Sequence, residues 1–127
     1  MAYKNLSQEI SVKSAADYSA VGSNYKFYKV NSSGNLTIAT ASTDAVLGVL
    51  QNQPVTNEGA RVAPCASGGT SKVVLSATVT TGDMVGLAAD GTGTASAAGG
   101  YDVGVAVVGA ASGELATVQL QNLTLKA

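Results

Sequence analysis

The chain has 127 residues, of which 46% are hydrophobic and 12% charged, with seven Lys or Arg, eight Asp or Glu and a formal net charge of −1. One domain's worth of chain with this apolar content fits a globular core, and the absence of any block of positive charge argues against nucleic acid or a membrane surface as partner. There is no His and only one Cys, Cys65, which excludes an intramolecular disulfide, Ser-His-Asp or Cys-His catalysis and a Cys/His zinc site.

The N-terminal stretch "MAYKNLSQEISVK" has polar residues where a signal peptide needs an apolar run. The longest apolar stretch, Val103 to Ala111, is too short to span a bilayer as a helix. The chain is therefore expected to be soluble and made without an export signal. Tyr3, Tyr18, Tyr25, Phe27 and Tyr28 crowd the first 28 residues, and only Tyr101 follows. This shift divides the sequence into an arm, residues 1–20, and a body, residues 21–127. The alternative is that the arm is the first strand of the body. Within the arm, Tyr3 and Tyr18 are candidate interface anchors, because Tyr buries a large ring with few rotors. Ile10 and Val12, on one face of "EISVK", are candidates for a strand added to an exposed sheet edge.

From residue 25 on, the sequence reads as short strands between turn clusters. "YKFYKV" sets Tyr25 and Phe27 on one side and Tyr28 partly on the other. "KVVLSATVT" sets Val73, Leu75, Ala77 and Val79 on one face, a period-two pattern. "VGVAVV" and "LATVQL" alternate in the same way. "NSSGN", "SGG", "TTGD", "ADGTG", "AAGG" and "ASGE" punctuate the strands. The expected fold is all-β, a small barrel or sandwich of short antiparallel strands.

The body also repeats. At an offset of 56 residues (48 to 104), Gly48 meets Gly104, Val49 meets Val105, Glu58 meets Glu114, Ala60 meets Ala116 and Val62 meets Val118. Upstream the offset is 57 (34 to 91), and Phe27 meets Met84, Val30 meets Leu87 and Gly34 meets Gly91. Two copies suit a barrel in which each supplies half of the wall. Gly48 and Gly104, inside strand patterns, mark a bulge or corner.

Little remains for chemistry. Asp83 and Asp90 sit in turn sequences, where a short carboxylate caps the turn. They could pair with Asp102 or Glu114 only as a glycosidase-like set. Glu58 and Glu114 read as polar residues opening a strand. "GTGTASAAGG" lacks the Lys-Ser/Thr ending of a phosphate loop. The chain is expected not to be an enzyme and to need no cofactor or metal.

"VLGVLQNQP", "EGARV", "TTGDMVGLAADGTGTAS" and "YDVGVAVVGAASGELATVQL" together resemble the small capsid decoration, or cement, proteins of tailed bacteriophages. The resemblance covers most of the chain from about Tyr25 on, and the aromatic N-terminal stretch falls outside it. It implies a compact β fold made in the host cytoplasm and seated on the outer capsid surface of the virion. It also implies a major capsid protein as partner, and a homo-oligomer, often a trimer. A different phage component, such as a tail or fibre-base domain, is the alternative. A carbohydrate-binding β module is a further one, disfavoured by the absence of Trp and of a cluster of aromatics.

Overall fold

The computed structural model describes residues 9–126. The alternating runs become strands and the Gly and Asn clusters become their turns. In chain order these are β1 (Ile10–Lys13), β2 (Phe27–Val30), β3 (Leu36–Ile38), β4 (Gly48–Leu50), β5 (Gly59–Pro64), a 3-10 turn (Cys65–Ser67), β6 (Thr70–Val74), β7 (Met84–Leu87), β8 (Gly93–Ala95), β9 (Tyr101–Val108) and β10 (Leu115–Leu125). They build two five-stranded antiparallel sheets, ordered β1-β5-β4-β2-β3 and β6-β10-β9-β7-β8.

The second order is the first with every strand moved on by five, so the chain is two copies of one unit. The register agrees at each matching pair up to a bulge at Val107 in β9. Tyr28 opposes Gly48 as Val85 opposes Gly104. Gly48 opposes Pro64 as Gly104 opposes Leu120, and Tyr28 opposes Ile38 as Val85 opposes Ala95. These are the offsets of 56 and 57 read from the sequence. The turns repeat as well. Asn57 (φ 69) and Gly113 (φ 82) take the same left-handed position, which Gly enters freely and Asn enters more readily than most side chains.

Each sheet curls until its outermost strands meet. Ser14 forms a parallel bridge with Leu36, and Leu75 with Gly93. The Ala15 and Ser76 N–H groups donate to the Leu36 and Gly93 carbonyls, both at 2.9 Å. All strand pairings among the described residues stay inside one unit. Each copy therefore forms its own nearly closed barrel rather than half of a shared wall. The physical reason is local: each unit's hairpins and its returning strand already satisfy the backbone groups that a shared wall would have to pair.

Tyr28, Leu36, Leu50, Ala60 and Val62 fill the first barrel. The second is filled by smaller side chains, among them Val73, Val79, Val85, Ala106 and Val118, in one cluster that continues into Phe27, Ala39, Val49, Ala63 and Cys65 of the first unit. So β4 is buried on both faces. Leu50 points into its own barrel, and Val49 points into the junction between units. Backbone hydrogen bonds stitch this junction: Phe27 N–H to the Gly91 carbonyl (2.7 Å), Val74 N–H to Tyr25 (2.8 Å) and Tyr101 N–H to Ser42 (3.0 Å). Tyr25 holds a left-handed backbone (φ 63) there. That conformation costs about 1–3 kcal/mol in a non-Gly residue, and the junction bonds fix it. The Gln51 amide reaches across to Ser71 Oγ at 2.8 Å.

Candidate interaction surface

β1 lies on the arm side of the expected boundary at residue 20, yet it pairs with β5 on the body side, with Ile10 opposite Val62 and Val12 opposite Ala60. It occupies the place that β6 holds in the second unit, where Val73 opposes Ala116. The structure brings Ile10, Val12 and Tyr18 together, all half-buried and packed against the Tyr28 and Leu36 cluster. The Tyr18 ring meets Tyr28 edge-on, with centroids 4.9 Å apart and planes at 75°. The Tyr18 hydroxyl donates to Thr37 Oγ1 (3.4 Å) and accepts from the Ile38 N–H (3.2 Å). Tyr18 thus acts as a lid on the first barrel, in the position Val79 holds on the second. From residue 10 to residue 18 the apolar face of the arm rests on the chain's own sheet. The reason is that "ISVK" has a period-two apolar face and β5 offers it an unpaired edge next to it in the same chain. Tyr3 lies outside the described residues.

A different group of side chains stands out to solvent. Thirteen residues, 14–26, join β1 to β2, but only nine, 75–83, join β6 to β7. The extra length places Val21 at the tip of a turn, 99% exposed. The Gln53 amide donates to the Ala20 carbonyl at 3.2 Å, tying this loop to the β4–β5 loop, which carries Val55 at 43% exposure. Two exposed valines on joined loops at one end of the first barrel form an apolar tip. The sequence signal that locates Val21 is the excess length between Tyr18 and Lys26 when the units are aligned with β1 included. A second feature is a shallow depression beside β7 and β8, of about 290 Å³, lined by Asp83, Met84, Ala95, Ser96 and Lys126.

Several carboxylates serve turns. The Asp44 carboxylate accepts from the Thr40 N–H (2.8 Å), the Ala41 N–H (3.1 Å) and Lys29 Nζ (3.1 Å). These bonds, the Thr40 N–H foremost, hold its pKa below the ordinary carboxylate value. Asp90 is lowered in the same direction, chiefly by the Thr92 hydroxyl. Asp83 accepts from the Thr80 N–H (3.3 Å) and Glu58 from the Val55 N–H (3.1 Å). No group of three or more His, Cys, Asp or Glu among the described residues is placed to hold a metal ion. No helix of the described residues is long and apolar enough to cross a membrane.

Cys65 opens the 3-10 turn, is buried, and has its thiol pushed up to about 12 by burial. A thiol so far from the thiolate form is inert. A charged thiol reagent near neutral pH is expected to label Cys65 only as fast as the protein unfolds. Rapid labelling of the native protein would contradict the burial.

Neither a protein-family model nor a curated protein matches this sequence. The fold has a counterpart among solved structures, the crystal structure of the head fiber gp8.5 N base in bacteriophage phi29. The two superpose with a TM-score of 0.67 over 94% of this chain and 98% of that one, at 18% sequence identity. The likeness therefore extends over both units and establishes a shared fold.

Proposed function

We propose that this chain is a structural protein of a bacteriophage head that binds the outer surface of the shell through its major capsid protein and does no chemistry. The observation that carries the reading is the end-to-end likeness to a phage head fiber base. It is supported by the sequence resemblance to capsid decoration proteins, by several carboxylates engaged in turns and by a buried, inert thiol. Binding an assembled lattice but not its separate subunits stabilises the lattice by mass action, and repetition over a shell multiplies a modest contact. Decoration is one form of this role. Acting as the foot of a head fibre is the second, and the fiber-base fold favours it.

The apolar tip of Val21 and Val55 is the contact this reading assigns to the shell. Replacing both by Asp is expected to leave thermal unfolding of the free protein unchanged, because neither side chain packs in the core. Burying a Val contributes about 1.5–3 kcal/mol, so loss of both should weaken co-sedimentation with phage heads by about a hundredfold or more. Unchanged occupancy of the heads by the double variant would move the contact elsewhere on the barrel. Failure of the wild-type protein to bind heads at all would overturn the reading.

A further inference from the structure

The two units of the chain are joined head to tail, and the join uses unlike surfaces. The first unit contributes the outer face of its sheet, around Phe27, Val49 and Gln51. The second contributes β6 and the β7–β8 turn. Each of these surfaces exists twice in the chain, once covered and once open. Gly91, in the β7–β8 turn, is buried, and a Cβ there would meet Ile38 and the Phe27 carbonyl. Gly34, its equivalent in the first unit, is exposed, with nothing within 4 Å. Phe27, Val49 and Gln51 are buried, whereas Met84 and Val105 are half-buried and Val107, which matches Gln51 at the offset of 56 and stands in a bulge of β9, is 41% exposed.

That last exchange runs against ordinary burial. The covered position holds Gln and the open one holds Val, the reverse of what solvent alone would favour. The facing strand changes in step, since Ser71, the partner of Gln51, is replaced in β1 by Ile10. A polar pair inside the molecule thus gives way to Val107 on the open face and, on β1, to Ile10, which is half-buried against its own barrel. Charge agrees as well. Asp83 stands exposed next to Met84, the counterpart of Phe27, and Lys13 stands exposed where β6 has Val74, the residue bound to Tyr25 in the internal junction.

We infer that the open sheet face of the second unit receives β1 and the Asn31–Asn35 turn of a second copy of this chain, repeating the internal junction between molecules. Because the two surfaces differ, the contact is heterologous. It closes into a ring or continues as a filament.

The test is the mass of the full-length protein by sedimentation up to about 1 mM, the weak end of measurable association. The variants are Val107→Glu on the open face and Lys13→Glu on β1, each checked for a native melting curve. Wild type is expected to form dimers or larger species, and each variant is expected to associate at least tenfold more weakly. An equimolar mixture of the two variants is expected to recover a 1:1 heterodimer that grows no further, because each retains one intact surface. Should Val107→Glu fail to fold, Gln119→Glu, exposed on the same face, takes its place. A wild type monomeric throughout, a Lys13→Glu variant that associates as wild type, or a mixture that stays monomeric would overturn the inference.

Discussion

A chain lacking residues 1–20 is expected not to fold its first barrel. β1 supplies the strand that covers the outer edge of β5. Ser14 closes the barrel on Leu36, and Tyr18 covers its open end against Tyr28. Removing them exposes one side of a cluster in which Tyr28, Leu36, Leu50 and Val62 are otherwise fully buried. Ile10, Val12 and Tyr18 are half-buried, so their combined loss costs about 2–4 kcal/mol, half of the roughly 1.5–3 kcal/mol for each fully buried side chain. The lost ladder hydrogen bonds add to this. Stability of a domain this size is about 5–15 kcal/mol, so the truncated protein should melt far below the intact one or show no cooperative transition. The outer face of the same first sheet packs on the second unit, so that unit should lose stability as well. Calorimetry of the two chains tests this. An unfolding transition within a few degrees of wild type would show that β1 is dispensable and that the arm is separable from the body.

Gly48→Val and Gly104→Val are expected to be comparably damaging to one another, each by about 3 kcal/mol or more, because overpacking against backbone cannot be relieved by a rotamer change. A Cβ at Gly48 would overlap the Ala63 carbonyl oxygen, and one at Gly104 would overlap the carbonyl of Gln119, the residue in the matching place of the second unit. Neither glycine is in the left-handed region, so the requirement is space for the neighbouring strand rather than an unusual φ. Gly59→Ala is the control. Nothing lies within 4 Å of a Cβ there, so the change should stay within about 1 kcal/mol of wild type. Urea titrations of the three variants measure this. A mild effect at one of the two equivalent glycines and a severe one at the other would contradict the equivalence of the units.

These glycines also show why the repeat was legible in the sequence. A Gly that must lie against a carbonyl, and a Gly or Asn that must adopt positive φ, are dictated by backbone geometry. They survive when the apolar residues around them change size. Gly48 and Gly104, Gly34 and Gly91, and Asn57 and Gly113 therefore mark the offsets even where side chains differ. β1 carries no such mark. It aligns with β6 chiefly through Val12 and Val73, at another offset, behind a connection four residues longer (13 against 9). The aromatic crowding that suggested an arm has its origin in packing. Tyr18 and Tyr28 fill the first barrel, where the second has Val79 and Val85. Composition recorded a larger interior rather than a boundary.

The interaction surface was the least legible part. Alternation tells which residues of a strand share a face, but not whether that face meets solvent, a barrel interior or a second sheet. Val49 and Val105 stand in similar local sequence, Leu-Gly-Val-Leu and Val-Gly-Val-Ala, yet one is buried in the junction and the other lies half-open. Val21 belongs to a loop with no periodicity at all. Its exposure follows from where the surplus length of the β1–β2 connection is placed.

The most direct test of the functional account is an image reconstruction of phage heads incubated with the purified protein. The account predicts added density on the outer surface of the shell at symmetry-related positions. Each should be fitted by the two-barrel structure with the Val21 and Val55 loops against the major capsid protein. Density confined to the tail, or heads that remain bare at saturating protein, would contradict it.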